Sequence, residues 1–149
     1  MKVGDRVPGF EAQDQTGEVV RSADLLEKGA VVLFFYPRAM SPGCTTESCH
    51  FRDLQAELAE LSAQPVGVSV DPVDRQAAFA ERNDLGFPLL SDPDRHIARI
   101  FGVKRIGPLF NKRATFVIDR DGTVLDVITS ELNMAVHADR AIDCLRART

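Results

Sequence analysis

The chain lacks most of what would tie it to a membrane, a nucleic acid or an oxidised extracellular scaffold. Its longest apolar run, Ala30 to Tyr36, falls far short of the roughly 20 residues needed to span a bilayer. Met1-Lys2-Val3-Gly4-Asp5-Arg6-Val7 has no apolar stretch of a secretion signal, so a cytoplasmic location is expected. Positive charge is not in excess: 18 Lys and Arg stand against 22 Asp and Glu, a net charge of −4, where a phosphate backbone or anionic membrane demands clustered cations. Cysteine is scarce. Three of them do not make a disulfide framework, which leaves metal binding, catalysis or core filling. There is also no Cys-x-x-Cys pair, which counts against a dithiol relay acting on proteins. No low-complexity segment or shift of composition divides the 149 residues, and 44% hydrophobic content suits one domain, 1–149, with a core of ordinary size.

What is present alternates between the two periods of regular structure, as an α/β fold requires. Phe10 to Asp14 and Glu18 to Arg21 read as a short hairpin across Gln15-Thr16-Gly17, with a helical turn over Ser22 to Glu27. Val31 to Tyr36 is a continuous β-branched and aromatic run, the pattern of a strand buried on both faces. A long helix is expected from Pro42 to about Ser62, with Phe51, Leu54, Leu58 and Leu61 at helical spacing. Pro65 to Val70 is a second buried strand, parallel to the first because a helix intervenes. Asp71-Pro72 and Ser91-Asp92-Pro93 each read as a polar cap ahead of proline, opening helices that run through Asn83 and Phe101. Thr115 to Ile118 and Thr123 to Ile128 flank the turn Asp121-Gly122. Asn133 caps a last helix whose apolar face carries Ala138, Ala141, Ile142 and Leu145.

Chemistry concentrates where the first buried strand ends. Cys44 follows Ser41-Pro42-Gly43 and falls in the first turn of the expected helix, where unpaired N–H groups and the positive end of the dipole favour thiolate over thiol. Cys49 lies five residues on. In an intact helix that separation is about 140° around the axis and leaves the Cα atoms roughly 9 Å apart. A disulfide needs them within about 7 Å, so the two can join only after the first turns unwind.

The same stretch resembles the peroxiredoxins. Pro37, Ser41 and Cys44 match Pro-x-x-x-(Thr/Ser)-x-x-Cys, and Pro42-Gly43-Cys44-Thr45 with Cys49 is similar to the bacterioferritin comigratory protein, or PrxQ, branch. Phe51-Arg52-Asp53, Phe87 to Asp92 and Arg113 to Asp119 continue the likeness in order along the chain, while Ala39-Met40 departs from the branch and Ser41 keeps the hydroxyl. The resemblance implies a thioredoxin-like fold, with a central mixed sheet flanked by helices and an N-terminal β-hairpin extension. It implies no cofactor and a peroxidase for hydrogen peroxide and organic hydroperoxides, recycled by thioredoxin or a similar dithiol reductant. Cys44 becomes the attacking thiol and Cys49 its resolving partner. Ser41 bonds the peroxide, Pro37 shields the sulfur, Arg113 supplies fixed charge and several planar donors, and Glu47 orients the arginine.

Plainer readings stand beside these. Cys49 could be a second buried thiol, and Cys144, at the flank of the last helix's apolar face, reads as packing rather than chemistry. Cys44, Cys49 and His50 are three neighbouring ligands without the paired spacing of a zinc site. Arg38 and Lys112 read as solvated charges, Tyr36 as the end of a core strand, and Phe101 and Phe110 as core or pocket wall. Ala39-Met40 and Gly107-Pro108-Leu109 are expected to shape the rim of the pocket. A thiol-disulfide oxidoreductase is the alternative function, and monomer and homodimer are both compatible with the patterning.

Overall fold

The computed structural model describes residues 1–105, 111–131 and 133–148. In chain order the elements are β1 (Glu11–Gln13), β2 (Val19–Arg21), α1 (Ser22–Lys28), β3 (Ala30–Phe35), α2 (Pro42–Asp53), α3 (Gln55–Glu60) and β4 (Ala63–Ser69). There follow α4 (Val73–Asn83), β5 (Leu89–Ser91), α5 (His96–Phe101), β6 (Ala114–Ile118), β7 (Val124–Thr129) and α6 (Ala135–Arg148). Gly107-Pro108-Leu109 and Phe110 lie outside the described residues.

Five strands form one mixed sheet in the order β5-β4-β3-β6-β7, and β1 pairs with β2 in a separate hairpin. β3, β4 and β5 are parallel, while β6 runs antiparallel to β3 and to β7. The strand ends that carry reactive loops are therefore brought together at one edge: β3 finishes opposite the residue from which β6 starts, with Phe35 paired to Ala114.

The alternation of side chains along β3 divides the core. Val32, Phe34 and Tyr36 join Phe51, Leu58, Phe79, Ala138, Ala141 and Leu145, the layer built by α2, α3, α4 and α6. Val31, Leu33 and Phe35 meet Leu25, Ile97 and Phe101 on the opposite face, under α1 and α5. Phe51 of α2 stacks on Phe34 with ring centroids 4.3 Å apart, fixing the helix that carries both cysteines against the sheet. Gly67 in β4 is required by that crowding, since a Cβ there would sit 2.9 Å from Leu89 and Tyr36 side-chain atoms.

Three expected helices differ in detail. The long helix from Pro42 is interrupted at Leu54 (φ −99°, ψ 5°), so its apolar stripe continues through α3 after a bend. α4 begins at Val73 with Pro72 as its unbonded cap, because Asp71 spends its carboxylate elsewhere. α5 begins only at His96, after Arg95 in the left-handed region (φ 61°); Asp92 still caps it from a distance, accepting from the Ile97 and Ala98 N–H groups at 3.1 and 2.9 Å. Asn133 caps α6 as its sequence implies, accepting from Val136 N–H at 3.3 Å.

Candidate active site

Cys44 sits in the first turn of α2, with Pro42 and Gly43 ahead of it and Ser41 in extended geometry at the cap. Two features steer the chain from β3 into that turn. Met40 takes a left-handed conformation (φ 69°) costly for a residue with a side chain. Asp71, from the end of β4, accepts the Ala39 N–H at 2.7 Å and the Ser69 hydroxyl at 2.7 Å, pinning the loop from below. Tyr36, fully buried, donates to Gln76 and belongs to the same network; burial pushes its phenol well above the usual range, so it stays neutral.

Arg113, one residue before β6, reaches into the start of α2. Its Nη2 donates to Cys44 Sγ at 3.2 Å and its Nη1 to Glu47 Oε1 at 2.8 Å, while its backbone N–H donates to Glu131 Oε1 at 3.1 Å. Cys44 and Glu47 are fully buried and Arg113 is 6% exposed, so the three form a nearly dry cluster. Burial opposes the charge on Arg113, but Glu47 and the Cys44 sulfur outweigh it and hold the guanidinium above its ordinary value. Burial pushes the Glu47 carboxyl up to about 7, against the opposing pull of Arg113. Gly43 admits the arginine: a Cβ there would lie 3.3 Å from Nη2 and 3.5 Å from Met134 Sδ.

Of the residues singled out in the sequence, Cys44, Arg113 and Glu47 are thus in direct contact. Ser41 is the cap residue of the helix that carries Cys44, with its hydroxyl donated to the Arg38 carbonyl at 2.9 Å, and Pro37 is half-buried in the same loop. Cys49 is half-buried five residues along from Cys44, its thiol 3.7 Å from Asn83 Oδ1, and neither cysteine is bonded to the other. His50 faces α6 instead, 2.9 Å from Asp139. Cys144 packs at the margin of the core.

Three contributors escaped the sequence reading. Asp71 looked like a helix cap, and Glu131 had no motif around it. His137 is wholly buried beside Glu47, with Nδ1 3.6 Å from Glu47 Oε2. Its one signal was spacing: it lies four residues ahead of Ala141 and eight ahead of Leu145, on the buried face of α6.

A buried thiol gripped by a guanidinium, itself held by a carboxylate, is equipped to attack a small electrophile and to stabilise negative charge as it develops there. Comparison with known proteins gives the same direction. Residues 3–127 match the AhpC/TSA family. Peroxiredoxin Bcp of Escherichia coli is 35% identical over 98% of this chain and 96% of its own length. The crystal structure of peroxidoxin BcpB from Mycobacterium tuberculosis superposes with a TM-score of 0.96, at 56% identity over 100% of this chain and 99% of that one. The bacterioferritin comigratory protein of Xanthomonas campestris gives 0.84, at 29% identity over 93% and 91%. With its thioredoxin fold, its cysteine-led helix and these relatives, the chain belongs to the AhpC/TSA family and is a peroxiredoxin of the Bcp/PrxQ branch, a thiol peroxidase.

Proposed function

We propose that residues 1–149 act as one domain in which Cys44 reduces hydrogen peroxide and alkyl hydroperoxides and Cys49 resolves the product. The Cys44 thiolate attacks the terminal peroxide oxygen; the S–O bond forms, the O–O bond breaks, and hydroxide or alkoxide leaves. Arg113 donates to the reacting oxygens and to the sulfur, Glu47 holds Arg113 in place, Ser41 turns its hydroxyl from the Arg38 carbonyl to the peroxide, and Pro37 walls the sulfur from water. The observation that carries this reading is the two-handed grip of Arg113, with one terminal nitrogen on Glu47 and the other 3.2 Å from Cys44 Sγ. Alkyl hydroperoxides are included because the Xanthomonas campestris relative is described by its alkyl peroxide reduction activity.

The Cys44 sulfenic acid then condenses with the Cys49 thiol, losing water and forming a disulfide once the first turns of α2 unwind. Thioredoxin or a similar dithiol returns both cysteines to thiols by exchange. The protein would work in the cytoplasm, where three cysteines stay reduced between turnovers, as monomer or homodimer.

Stopped-flow mixing of the reduced protein with hydrogen peroxide tests the first step, where a rate constant no better than that of free cysteine ends the reading. In Cys49→Ser, Cys44 is expected to react once while thioredoxin-coupled NADPH consumption collapses. Turnover that survives there and is lost in Cys144→Ser moves the resolving role to Cys144.

A further inference from the structure

Glu47 and His137 face each other behind Arg113. Glu47 Oε1 is taken by Arg113, whereas Oε2 has no hydrogen-bond partner among the described residues and lies 3.6 Å from His137 Nδ1, with both side chains fully buried. The other ring nitrogen is fixed: Nε2 is 2.9 Å from the Ser130 carbonyl, which can only accept, so Nε2 carries a hydrogen. Nδ1 is 2.8 Å from Thr115 Oγ1, a hydroxyl able to donate or accept. A proton in this space has two seats. On Glu47 Oε2 it leaves the imidazole neutral, with the Thr115 hydroxyl donating to Nδ1. On Nδ1 it is shared toward Thr115 and the carboxylate. In either seat the pair carries no net charge. Without it, a bare carboxylate oxygen is left in a dry pocket facing a nitrogen lone pair, an arrangement burial penalises heavily.

We propose that Glu47 and His137 hold one proton between them while Cys44 is reduced and release it when Cys44 is oxidised, so that the buried site keeps its net charge through the peroxide step. In the reduced site, thiolate and guanidinium cancel and the protonated pair adds nothing. Attack on the peroxide turns the thiolate into a neutral sulfenic acid, its electron pair going into the S–O bond, and Arg113 loses its counter-charge. Glu47 then becomes the carboxylate that balances Arg113. The released proton offsets the hydroxide or alkoxide that left the peroxide, giving water or alcohol.

The surroundings suit this exchange. Facing the pair are Arg113 and Cys44; Glu131, which accepts from Arg113 and Arg105; and Arg140 of α6, already paired with Asp126. Burial raises the Glu47 carboxyl to about 7 and lowers the His137 imidazole, so the first is protonated in part near neutrality and the second is not charged alone.

The inference rests on Cys44 being the thiol that peroxide attacks. It is tested in Cys49→Ser, which stops at the sulfenic acid with α2 still wound. Mixed with one equivalent of hydrogen peroxide in weak buffer near neutral pH, with an indicator dye, this protein is expected to take up clearly less than one proton per Cys44 oxidised, the shortfall matching the fraction of Glu47 that starts protonated. Adding Glu47→Gln should raise the uptake to about one proton per Cys44 oxidised. The infrared difference spectrum of the same reaction should lose the carbonyl stretch of a protonated carboxyl; the loss should vanish in Glu47→Gln and shift in frequency in His137→Phe. Fast oxidation with an uptake of about one proton in Cys49→Ser alone, an uptake that Glu47→Gln leaves unchanged, or a spectrum without that carboxyl band overturns the proton-holding pair. Failure of Cys44 to react with peroxide removes the underlying reading instead.

Discussion

The two cysteines of α2 share a helix and little else. Cys44 is sealed at the N-terminal turn, held by a charged donor at 3.2 Å and backed by a buried carboxylate. Cys49 is half-buried on the flank, and its thiol touches Asn83 at a long 3.7 Å. One end is assembled to hold a sulfur still in a fixed field; the other keeps its sulfur by weak contacts that are easily given up. If Cys49 resolves as proposed, the helix benefits from this inequality, because strengthening the second end would slow its departure without helping the first.

The sharpest way to break the contrast is Arg113→Lys. Lysine offers charge without the planar pair of donors, so the two-handed grip on Glu47 and Cys44 is lost. Removal of a transition-state donor costs about 3 kcal/mol, and the peroxide step should slow about a hundredfold in stopped-flow. Gly43→Ala attacks the same end more gently. Its Cβ would press on Arg113 Nη2 at 3.3 Å, displacing it by a few tenths of an ångström, and the same rate should fall roughly fivefold.

At the other end, Asn83→Ala removes the contact to the Cys49 thiol while the Asn83 carbonyl still accepts from Arg52 at 2.7 Å. A bond of this kind is worth less than about 1 kcal/mol, so sulfenic-acid condensation, followed by the mass shift of quenched samples, should quicken by a few-fold at most. The peroxide step should not change, and a change there would mean the two ends are not independent. The smallest effect belongs to Cys144→Ser. Burial and the neighbouring Asp126 carboxylate raise its thiol above the ordinary range, keeping it protonated and poorly reactive, and peroxidase turnover should equal that of the unmodified chain.

The same contrast marks what the sequence makes legible. β3 was readable because burial on both faces leaves an unbroken apolar run, β4 because its buried valines stand out from Pro65 onward, and α6 because its stripe recurs at helical spacing. Cys44 was readable because the motif that marks it, from Pro37 to Gly43, is contiguous in sequence. Contacts across the fold were less accessible. Asp71 has the composition of a cap, yet it is claimed by Ala39, thirty-two residues earlier. The start of α5 depends on one left-handed residue, Arg95, which no local pattern announces. His137 was missed because a histidine on an amphipathic helix looks like any polar residue; its partners come from β6 and α2 and meet it only in the folded chain. Glu47 was readable only through resemblance, and its burial, which gives it its character, was not.

The bend at Leu54 has a bearing on how far the disturbance of an oxidised molecule travels. Had the apolar stripe continued in one straight rod to Ser62, melting its beginning would have tugged on Leu58 and the core beneath. With the rod already creased at Leu54, and Phe51 stacked on Phe34 just before the crease, the unwinding proposed for the first turns of α2 can stop short of α3, which buried Leu58 keeps moored. On the proposed cycle, each round would spoil only the opening turns of one helix and leave the rest of the wall to guide them back.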